Sequence, residues 1–362
     1  MIAKKTLLQV CKVYFPVKGG VQIVAERLAK QMREQYSSTI LTTSESGSGI
    51  EKTEFGEVIR CKSYFELFSM PFAPALFRRV FRYVAKADVV LSHSPFPIAD
   101  IAVLISFFRI NKLVVYWHSD VVSQKLFRML LSPVTHMVLR KADAIAVSNP
   151  VLIQSSPYLS KYKGKCSVVP IGFEPEPEAT KNIKDEGYFL YVGRHVQYKG
   201  IGVLIDAVKK SGVRLVLVGN GPLLPKHRQQ VRQLRLSDQI TFVDKADDQQ
   251  VQIIMSECRA LVLPSILESE AFGMVQAEAM SFGKPIINTN LNSGVPWVAR
   301  NGDEAITVEP NDAIALSAAL GELNRDSNLR KRLGENAHQR WKIEFSLATM
   351  QEKFERIMKT IE

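Results

Sequence analysis

The sequence predicts an α/β protein with two doubly wound, Rossmann-like domains in tandem, and three observations predict it. Apolar segments typical of strands alternate with segments of helical periodicity over residues 1–173, and the alternation restarts after residue 186. A polar stretch with paired prolines, Glu174-Pro-Glu-Pro-Glu178, separates the two series and reads as a linker. The 362 residues suffice for two domains at roughly 150 residues each. We therefore expect parallel sheets covered by helices, with ligands bound beyond the carboxyl ends of the strands in an interdomain cleft.

The composition and the lengths of the apolar runs favour a globular protein of the cytoplasm. Hydrophobic residues make up 46% of the chain, which argues against a disordered or fibrous protein. No apolar run approaches the ~20 residues needed to cross a bilayer, and the apolar part of the basic start is too short for a signal peptide. The four cysteines are far apart and form no Cys-x-x-Cys motif, which is typical of free thiols in a reducing compartment.

The first domain, residues 1–173, begins with a strand that leads into a glycine-rich turn. This strand is expected over residues 6–15, and a helix to about residue 34 follows Gly19-Gly20. Further strands are predicted at 38–43, 57–61, 87–91, 112–117 and 142–147.

The second domain, residues 174–345, repeats this rhythm after the proline-rich stretch. Its strands are predicted at 188–192, 213–218, 240–243, 260–264, 285–289 and 305–308, with helices between them. The helix after strand 260–264 is expected from about Gly273 to Phe282, because Gly283 suits the left-handed residue past a helix end and Pro285 blocks continuation.

Charge is distributed unevenly between the halves. Residues 1–173 carry 23 Lys and Arg against 11 Asp and Glu, whereas residues 174–362 carry 24 against 25. One domain is therefore expected to meet something anionic. Residues 64–86 contain five phenylalanines and end in an amphipathic pattern with several basic residues, in which Phe77, Val80, Phe81 and Val84 form an apolar stripe. This segment would either lie on an anionic membrane surface or pack its apolar stripe on its own sheet.

Two carboxylates mark the candidate site of the second domain. Glu270 lies in the loop before the helix, and Glu278 lies in the second helical turn, on the face of Met274. The unpaired N–H groups of Gly273, Met274 and Val275 would favour an anion such as phosphate. A carboxylate beside phosphate would repel it, so Glu270 is expected to face a neutral hydroxylated group such as a sugar. A nucleotide-sugar meets both demands, whereas a pair of solvated glutamates in a surface loop is the alternative.

Further candidates follow three other predicted strands. Arg194 and Lys199 share a loop where both would neutralise a diphosphate, although an ordinary basic loop is the alternative. No Asp-x-Asp pair is present to hold a divalent ion on a diphosphate, so the chemistry is expected to be metal-independent and to need no cofactor. Gly20 opens a helix where a ligand would approach the backbone closely. His118 ends a central strand, where a structural role is the alternative.

Together these residues resemble family 4 of the retaining glycosyltransferases, which have the two-domain GT-B architecture. The resemblance is strongest over residues 188–301, where the Glu-x7-Glu signature, Arg194 with Lys199, Gly219-Asn-Gly-Pro and Gly294-Val-Pro occur in the family order. Ala271 stands where the family commonly has proline. Residues 116–125 are similar to a subset that builds O-antigen or exopolysaccharide, many of them GDP-mannose mannosyltransferases.

The resemblance implies a role for each candidate. Arg194 and Lys199 would bind the diphosphate, and Glu270 would bind sugar hydroxyls. Glu278 would hold the ribose. Backbone groups of Phe272, Gly273 and Met274 would contact sugar and phosphate; Gly20 would contact phosphate, and His118 the sugar near the reacting carbon. The final helix, residues 346–362, would pack back on the first domain.

The implied activity is transfer of a hexose to a lipid-linked saccharide such as a polyprenyl-diphosphate acceptor, with mannose from GDP-mannose as the first candidate. The protein would then lie in the cytoplasm or on the inner face of the membrane, without nucleic-acid partners. The attack would be front-face, with neither glutamate as nucleophile, unlike a glycosidase with two carboxylates at the scissile bond. A UDP-sugar transferase, a nucleotide-sugar epimerase or hydrolase, and a non-catalytic binding protein are the alternatives.

Overall fold

The chain folds into two compact units. The computed structural model describes residues 4–16, 19–67, 70–120, 125–181 and 183–362, with only the backbone described over 125–130. Unit 1 comprises Met1–Ile171 with Met350–Glu362, and unit 2 comprises Gly172–Thr349.

Unit 1 is built on a mainly parallel sheet. The strands found among its described residues are β1 (Lys5–Val10), β2 (Tyr36–Ser44), β3 (Gly49–Thr53), β4 (Gly56–Lys62), β5 (Phe65–Leu67), β6 (Met70–Phe72), β7 (Val89–Ser94), β8 (Lys112–Trp117), β9 (Ala144–Val147) and β10 (Cys166–Val168). The sheet order is β10-β9-β8-β7-β1-β2-β4-β3, with β3 antiparallel to β4, and β5 pairs with β6 in a separate hairpin. The order reverses between β1 and β7, which is where such sheets bind ligands.

Helices cover this sheet on both faces. They are α1 (Gly20–Gln31), α2 (Pro74–Val84), α3 (Pro97–Ile105), α4 (Lys125–Lys141) and α5 (Pro150–Ser155). Proline occupies the first helical position of α2, α3 and α5, where its missing N–H has no intrahelical partner to lose. One core cluster contains side chains of α2 and α3, and a second, on the other strand faces, contains side chains of α1.

Unit 2 has a fully parallel sheet. In the described part of this unit the strands are β11 (Tyr188–Val192), β12 (Arg214–Val218), β13 (Ile240–Val243), β14 (Ala260–Leu263), β15 (Ile286–Thr289) and β16 (Ala305–Val308). Their order is β13-β12-β11-β14-β15-β16, so the reversal falls between β11 and β14.

The helices of unit 2 alternate with its strands. They are α6 (Pro177–Thr180), α7 (Ile201–Ser211), α8 (Leu224–Gln233), α9 (Asp248–Glu257), α10 (Met274–Ser281), α11 (Val295–Val298), α12 (Ala313–Arg325) and α13 (Ser327–Arg340). The last helix, α14 (Leu347–Ile361), begins in unit 2 and ends in unit 1. Its unit 1 portion reaches β1, where Glu362 pairs with Lys5.

The stretch that reads as a linker, residues 174–186, is partly packed on unit 2, although its paired prolines and like charges were expected to oppose a packed element. Part of the stretch forms α6, which packs on α9, and the N–H of Glu176 donates to Gln252 Oε1 at 2.7 Å. The N–H of Glu186 donates to the carbonyl of Glu257 at 2.9 Å. Proline can start a helical turn as well as oppose one, and the flanking N–H groups find acceptors on unit 2; residue 182 lies outside the described residues.

None of the helices in the described ranges is long and apolar enough to cross a membrane.

Candidate functional site

Two loops meet at the strand reversal of unit 2. One follows β11 and spans residues 193–200, and the other follows β14 and spans residues 264–273. The N–H of Ile266 donates to the carbonyl of Tyr198 at 2.8 Å. Gly200 has a φ of +67°, and a Cβ at this position would lie 2.0 Å from the carbonyl oxygen of Pro264. Glycine is therefore required both by the backbone conformation and by the closeness of the two loops.

The loops are joined by an ion pair at the centre of the site. Lys199 Nζ lies 2.5 Å from Glu270 Oε2, and the two side chains are 13% and 11% exposed. Ser265 Oγ donates to the same carboxylate oxygen at 2.9 Å. Lys199 was predicted to bind phosphate and Glu270 to bind sugar hydroxyls. The structure joins these two side chains in an ion pair. Ser265 is a third member of this polar group, and the sequence did not single it out.

Arg194 is the second cation of the site, and its surroundings differ. Its side chain is exposed, and no acidic residue in the described ranges forms an ion pair with it. Its backbone carbonyl accepts a hydrogen bond from Tyr191 Oη at 3.1 Å, which fixes the chain at the end of β11. With Lys199 partly neutralised by Glu270, Arg194 is the cation of this loop that has its full charge available to an anion.

The start of α10 forms the other side of the site. Gly273 has a φ of +70° and precedes the helix, so the N–H groups of Gly273, Met274 and Val275 have no acceptor within the helix. The Phe272 ring points away into an aromatic cluster, with centroid distances of 6.0 Å to Phe345 and 6.4 Å to Trp297. Phe272 can therefore offer a ligand only its backbone groups.

Buried polar side chains hold the start of α10 in place. Asn288 Nδ2 donates to Gln276 Oε1 and to the carbonyl of Ala299, each at 2.9 Å. Gln276 Nε2 donates to the carbonyl of Val295 at 3.2 Å. Glu278 is half-buried in the second turn of α10, as its spacing from Met274 predicted.

The glycines of Gly219-Asn-Gly221 have a packing role. A Cβ on Gly219 would lie 2.1 Å from the carbonyl oxygen of Gly193, and one on Gly221 would lie 2.6 Å from that of His195. The N–H of His195 donates to the carbonyl of Asn220 at 2.9 Å. This turn therefore supports the loop that carries Arg194.

The candidates of unit 1 lie at the strand reversal of that unit. Gly20 is the first residue of α1, directly after β1 along the chain; residues 17 and 18 lie outside the described residues. His118 follows β8 and is half-buried. Its Nε2 lies 2.9 Å from Nδ1 of the buried His93, and His93 Nε2 lies 2.8 Å from Gln9 Oε1. The polar residues Gln9 and His93 within apolar strands were the available signal for this group.

Burial governs the ionisation of these imidazoles. Burial lowers the pKa of His93 to about 3. Burial, and then the nearby His93, lower the pKa of His118 well below its usual range. Both rings are therefore neutral at pH 7. Among the residues that the structure describes, no group of three His, Cys, Asp or Glu side chains is placed to hold a metal ion.

Comparison with known proteins extends over nearly the whole chain. The family model described as glycosyl transferases group 1 matches residues 173–340, and the one described as glycosyltransferase family 4 matches residues 18–176. The O-antigen chain mannosyltransferase C of Escherichia coli is 31% identical, with 98% of both chains covered. A D-rhamnosyltransferase of Pseudomonas aeruginosa is 28% identical, with 91% of this chain and 88% of that protein covered.

Solved structures share the fold. Sucrose-phosphate synthase of Thermosynechococcus elongatus superposes with a TM-score of 0.78 at 20% identity, covering 98% of both chains. The Anabaena protein HepE in complex with UDP and glucose gives a TM-score of 0.77 at 18% identity, covering 98% of this chain and 99% of that one. The chain therefore belongs to glycosyltransferase family 4, and its two parallel-sheet units have the GT-B fold.

Proposed function

We propose that this protein is a retaining, metal-independent hexosyltransferase that uses a nucleotide-sugar, with GDP-mannose as the first candidate donor. The observation that carries the proposal is the convergence of Arg194, the Lys199–Glu270 pair and the start of α10 at one strand reversal. Cations and free N–H groups suit a diphosphate, and an adjacent carboxylate suits hydroxyl groups.

The charges support metal-independent chemistry. A diphosphate leaving group gains negative charge as the glycosidic bond breaks, and fixed cations stabilise that charge. Arg194 supplies one full positive charge, and the α10 N-terminus supplies a partial one. Lys199 contacts Glu270, so it would neutralise a neighbouring phosphate while orienting that carboxylate.

Glu270 is proposed to bind sugar hydroxyls and to take no covalent part. Its carboxylate is held by Lys199 and Ser265, and an ion-paired carboxylate has no proton to donate to a leaving group. A glycosidase acid needs such a proton. In the proposed front-face reaction, the acceptor hydroxyl forms the new bond to the anomeric carbon as the bond to phosphate breaks. The hydroxyl proton passes to the departing phosphate oxygen.

The acceptor is proposed to be a lipid-linked saccharide in the synthesis of O-antigen or exopolysaccharide. The similarity to the Escherichia coli O-antigen mannosyltransferase supports this assignment. An exposed surface of unit 1 also supports it: Phe81 and Phe108 lie side by side, with ring centroids 6.2 Å apart, and the Arg109 guanidinium lies 4.3 Å from the Phe81 ring centroid. We call these three residues the Phe81–Phe108 face.

The Phe81–Phe108 face changes the interpretation of residues 64–86. The predicted stripe of Phe77, Val80, Phe81 and Val84 divides in the structure: Val80 and Val84 are buried on unit 1, whereas Phe81 is exposed. The packing alternative therefore describes the buried side of α2, and the membrane alternative stays a proposal for its exposed side. Residues 68 and 69 lie outside the described residues. We propose that the exposed side meets the inner face of the cytoplasmic membrane.

A thermal-shift panel with GDP, UDP, ADP and dTDP tests the donor, because a ligand raises the melting temperature by mass action. We expect the largest shift with GDP. The largest shift with UDP would support the alternative of a UDP-sugar transferase, for which the fold similarity to HepE bound to UDP is the available support. Turnover with and without acceptor then separates transfer from epimerisation or hydrolysis, since the latter two consume donor alone.

A further inference from the structure

A chain of hydrogen bonds crosses three neighbouring strands at the strand reversal of unit 1. It runs from the carbonyl of Ala25 in α1 to Gln9 in β1, then to His93 in β7 and His118 after β8. The three contacts measure 3.1, 2.8 and 2.9 Å. Gln9 and His93 are fully buried or nearly so, which makes each of these hydrogen bonds costly to lose.

The backbone carbonyl fixes the direction of the whole chain. A carbonyl oxygen can only accept, so the Gln9 amide must turn its NH₂ group toward Ala25. Gln9 Oε1 then faces His93 Nε2, and this nitrogen must carry a proton. The opposite amide orientation would bring two acceptor oxygens together at Ala25, and the NH₂ group of Gln9 would require a lone pair from His93.

The tautomer of His93 in turn determines the tautomer of His118. A neutral imidazole with its proton on Nε2 has a lone pair on Nδ1. His93 Nδ1 therefore accepts from His118 Nε2, so the His118 proton resides on Nε2. The lowered pKa values of both rings exclude the doubly protonated form of either at neutral pH. His118 Nδ1 is left with a lone pair, and no residue in the described ranges hydrogen-bonds to it.

We propose that Gln9 and His93 are positioning residues that hold His118 as the Nε2-protonated tautomer, so that Nδ1 accepts a hydrogen bond from a hydroxyl of the bound sugar. This inference rests on the proposed function. An unprotonated Nδ1 repels phosphate oxygens and attracts hydroxyl donors. The chain of hydrogen bonds from Ala25 to His118, which we call the relay, therefore selects which part of a nucleotide-sugar His118 contacts. The Tyr116 ring, 4.7 Å from His118 between centroids, limits rotation of the imidazole.

Ring-nitrogen NMR of the full-length protein with ¹⁵N-labelled histidine tests the tautomer directly. Two-bond correlations from the ring protons distinguish a protonated nitrogen from one with a lone pair, and the spectrum of His118→Phe identifies the signals. We expect His118 with a protonated Nε2 and an unprotonated Nδ1 at neutral pH. A proton on Nδ1 would overturn the proposal. Replacing Gln9 with methionine removes the fixed acceptor and should produce a mixture of tautomers at His118; an unchanged spectrum would exclude Gln9 from the relay.

Two His93 variants test whether the relay affects the reaction. Asparagine keeps an acceptor oxygen near the position of His93 Nδ1, whereas glutamine reaches the Nε2 position and leaves His118 without its acceptor. We expect His93→Asn to retain most of the transfer rate, and His93→Gln to lose about tenfold in kcat, the effect of one hydrogen bond, with a smaller change in donor KM. Equal rates in the two folded variants, as checked by thermal melting, would refute the positioning role.

The NMR spectrum and the transfer rate distinguish a failure of the relay from a failure of the proposed function on which it rests. The NMR spectrum reports the tautomer whether or not the chain transfers sugar. A wild-type protein that shows the expected tautomer and transfers no sugar from any nucleotide-sugar would refute the proposed function while supporting the hydrogen-bond direction. A wild-type protein that transfers sugar with His118 in the other tautomer would refute the relay and support the function.

Discussion

Lys199 and Glu270 form an ion pair, with Nζ 2.5 Å from Oε2, across two loops that meet where the strand order of unit 2 reverses. Little of either side chain reaches water, so their attraction is only weakly screened. The pair has two consequences. It links the loop after β11 to the loop after β14. It also leaves the site with one cation, Lys199, whose charge is partly neutralised by Glu270, and a second cation, Arg194, whose charge is not.

The Lys199–Glu270 pair should be strongly coupled in stability. We expect Lys199→Gln and Glu270→Gln each to lower the free energy of unfolding, because either leaves a shielded charge without its partner. A double-mutant cycle by urea denaturation should give a coupling of about 1–3 kcal/mol. The control is the Glu178–Lys181 pair, whose side chains are 60% and 61% exposed; its coupling should stay below about 1 kcal/mol. Equal coupling in both pairs would contradict this account.

Two glycines with the same backbone conformation separate strain from loop contact. Gly200 and Gly212 have φ values of +67° and +69°, but an added Cβ meets Pro264 at Gly200 and no atom within 4 Å at Gly212. Gly212→Ala should cost about 1–2 kcal/mol of unfolding free energy. Gly200→Ala should cost more and should weaken nucleotide binding, because the two loops must separate. Similar melting temperatures and affinities for both variants would show that the loop contact is unimportant.

Acid should destabilise the native protein through His93. Its pKa is lowered to about 3, whereas an unfolded histidine titrates near 6.5. The unfolded chain therefore binds more protons between these values, so stability falls as the pH drops from about 6.5 toward 3, by up to about 1.4 kcal/mol per pH unit. The His93→Asn variant lacks this titration, although His118 still titrates in the same direction. Urea denaturation over pH 4.5–7 should thus show a steeper loss for the wild type; parallel curves would contradict the assignment.

Membrane contact should depend on the Phe81–Phe108 face. Phe108 is 78% exposed, and Ile314 in unit 2 is 71% exposed, so the two offer a matched comparison. Phe108→Ser should weaken binding to anionic vesicles roughly tenfold, the effect expected for one buried aromatic ring, whereas Ile314→Ser should leave it unchanged. Vesicle sedimentation measures both. No binding by the wild type, or equal loss in both variants, would exclude this surface.

Local signals predicted the centre of unit 2 well. The helix expected from Gly273 to Phe282 is found as Met274–Ser281, and Gly273 and Gly283 have φ values of +70° and +66°. Glycine and proline act on their immediate neighbours, so their effects can be read without knowing the fold. The edge strand Gly49–Thr53 was missed because its residues are mostly exposed, and an exposed strand shows no apolar alternation.

Partnerships between distant residues were not predictable in this way. The resemblance placed Lys199 on phosphate and Glu270 on sugar, but their mutual ion pair follows from β11 lying beside β14. Similarly, Gln9 and His93 are 84 positions apart, and they meet only because β1 lies beside β7. The roles of Arg194, Glu278, Gly20 and His118 stay predictions.

A crystal structure with an intact nucleotide-sugar bound is the most direct test of the central claim. We expect the diphosphate to contact Arg194, Lys199 and the N–H groups at the start of α10, with Glu270 hydrogen-bonded to sugar hydroxyls. A diphosphate bound away from Arg194 and Lys199, or a Glu270 carboxylate without contact to the sugar, would contradict the account.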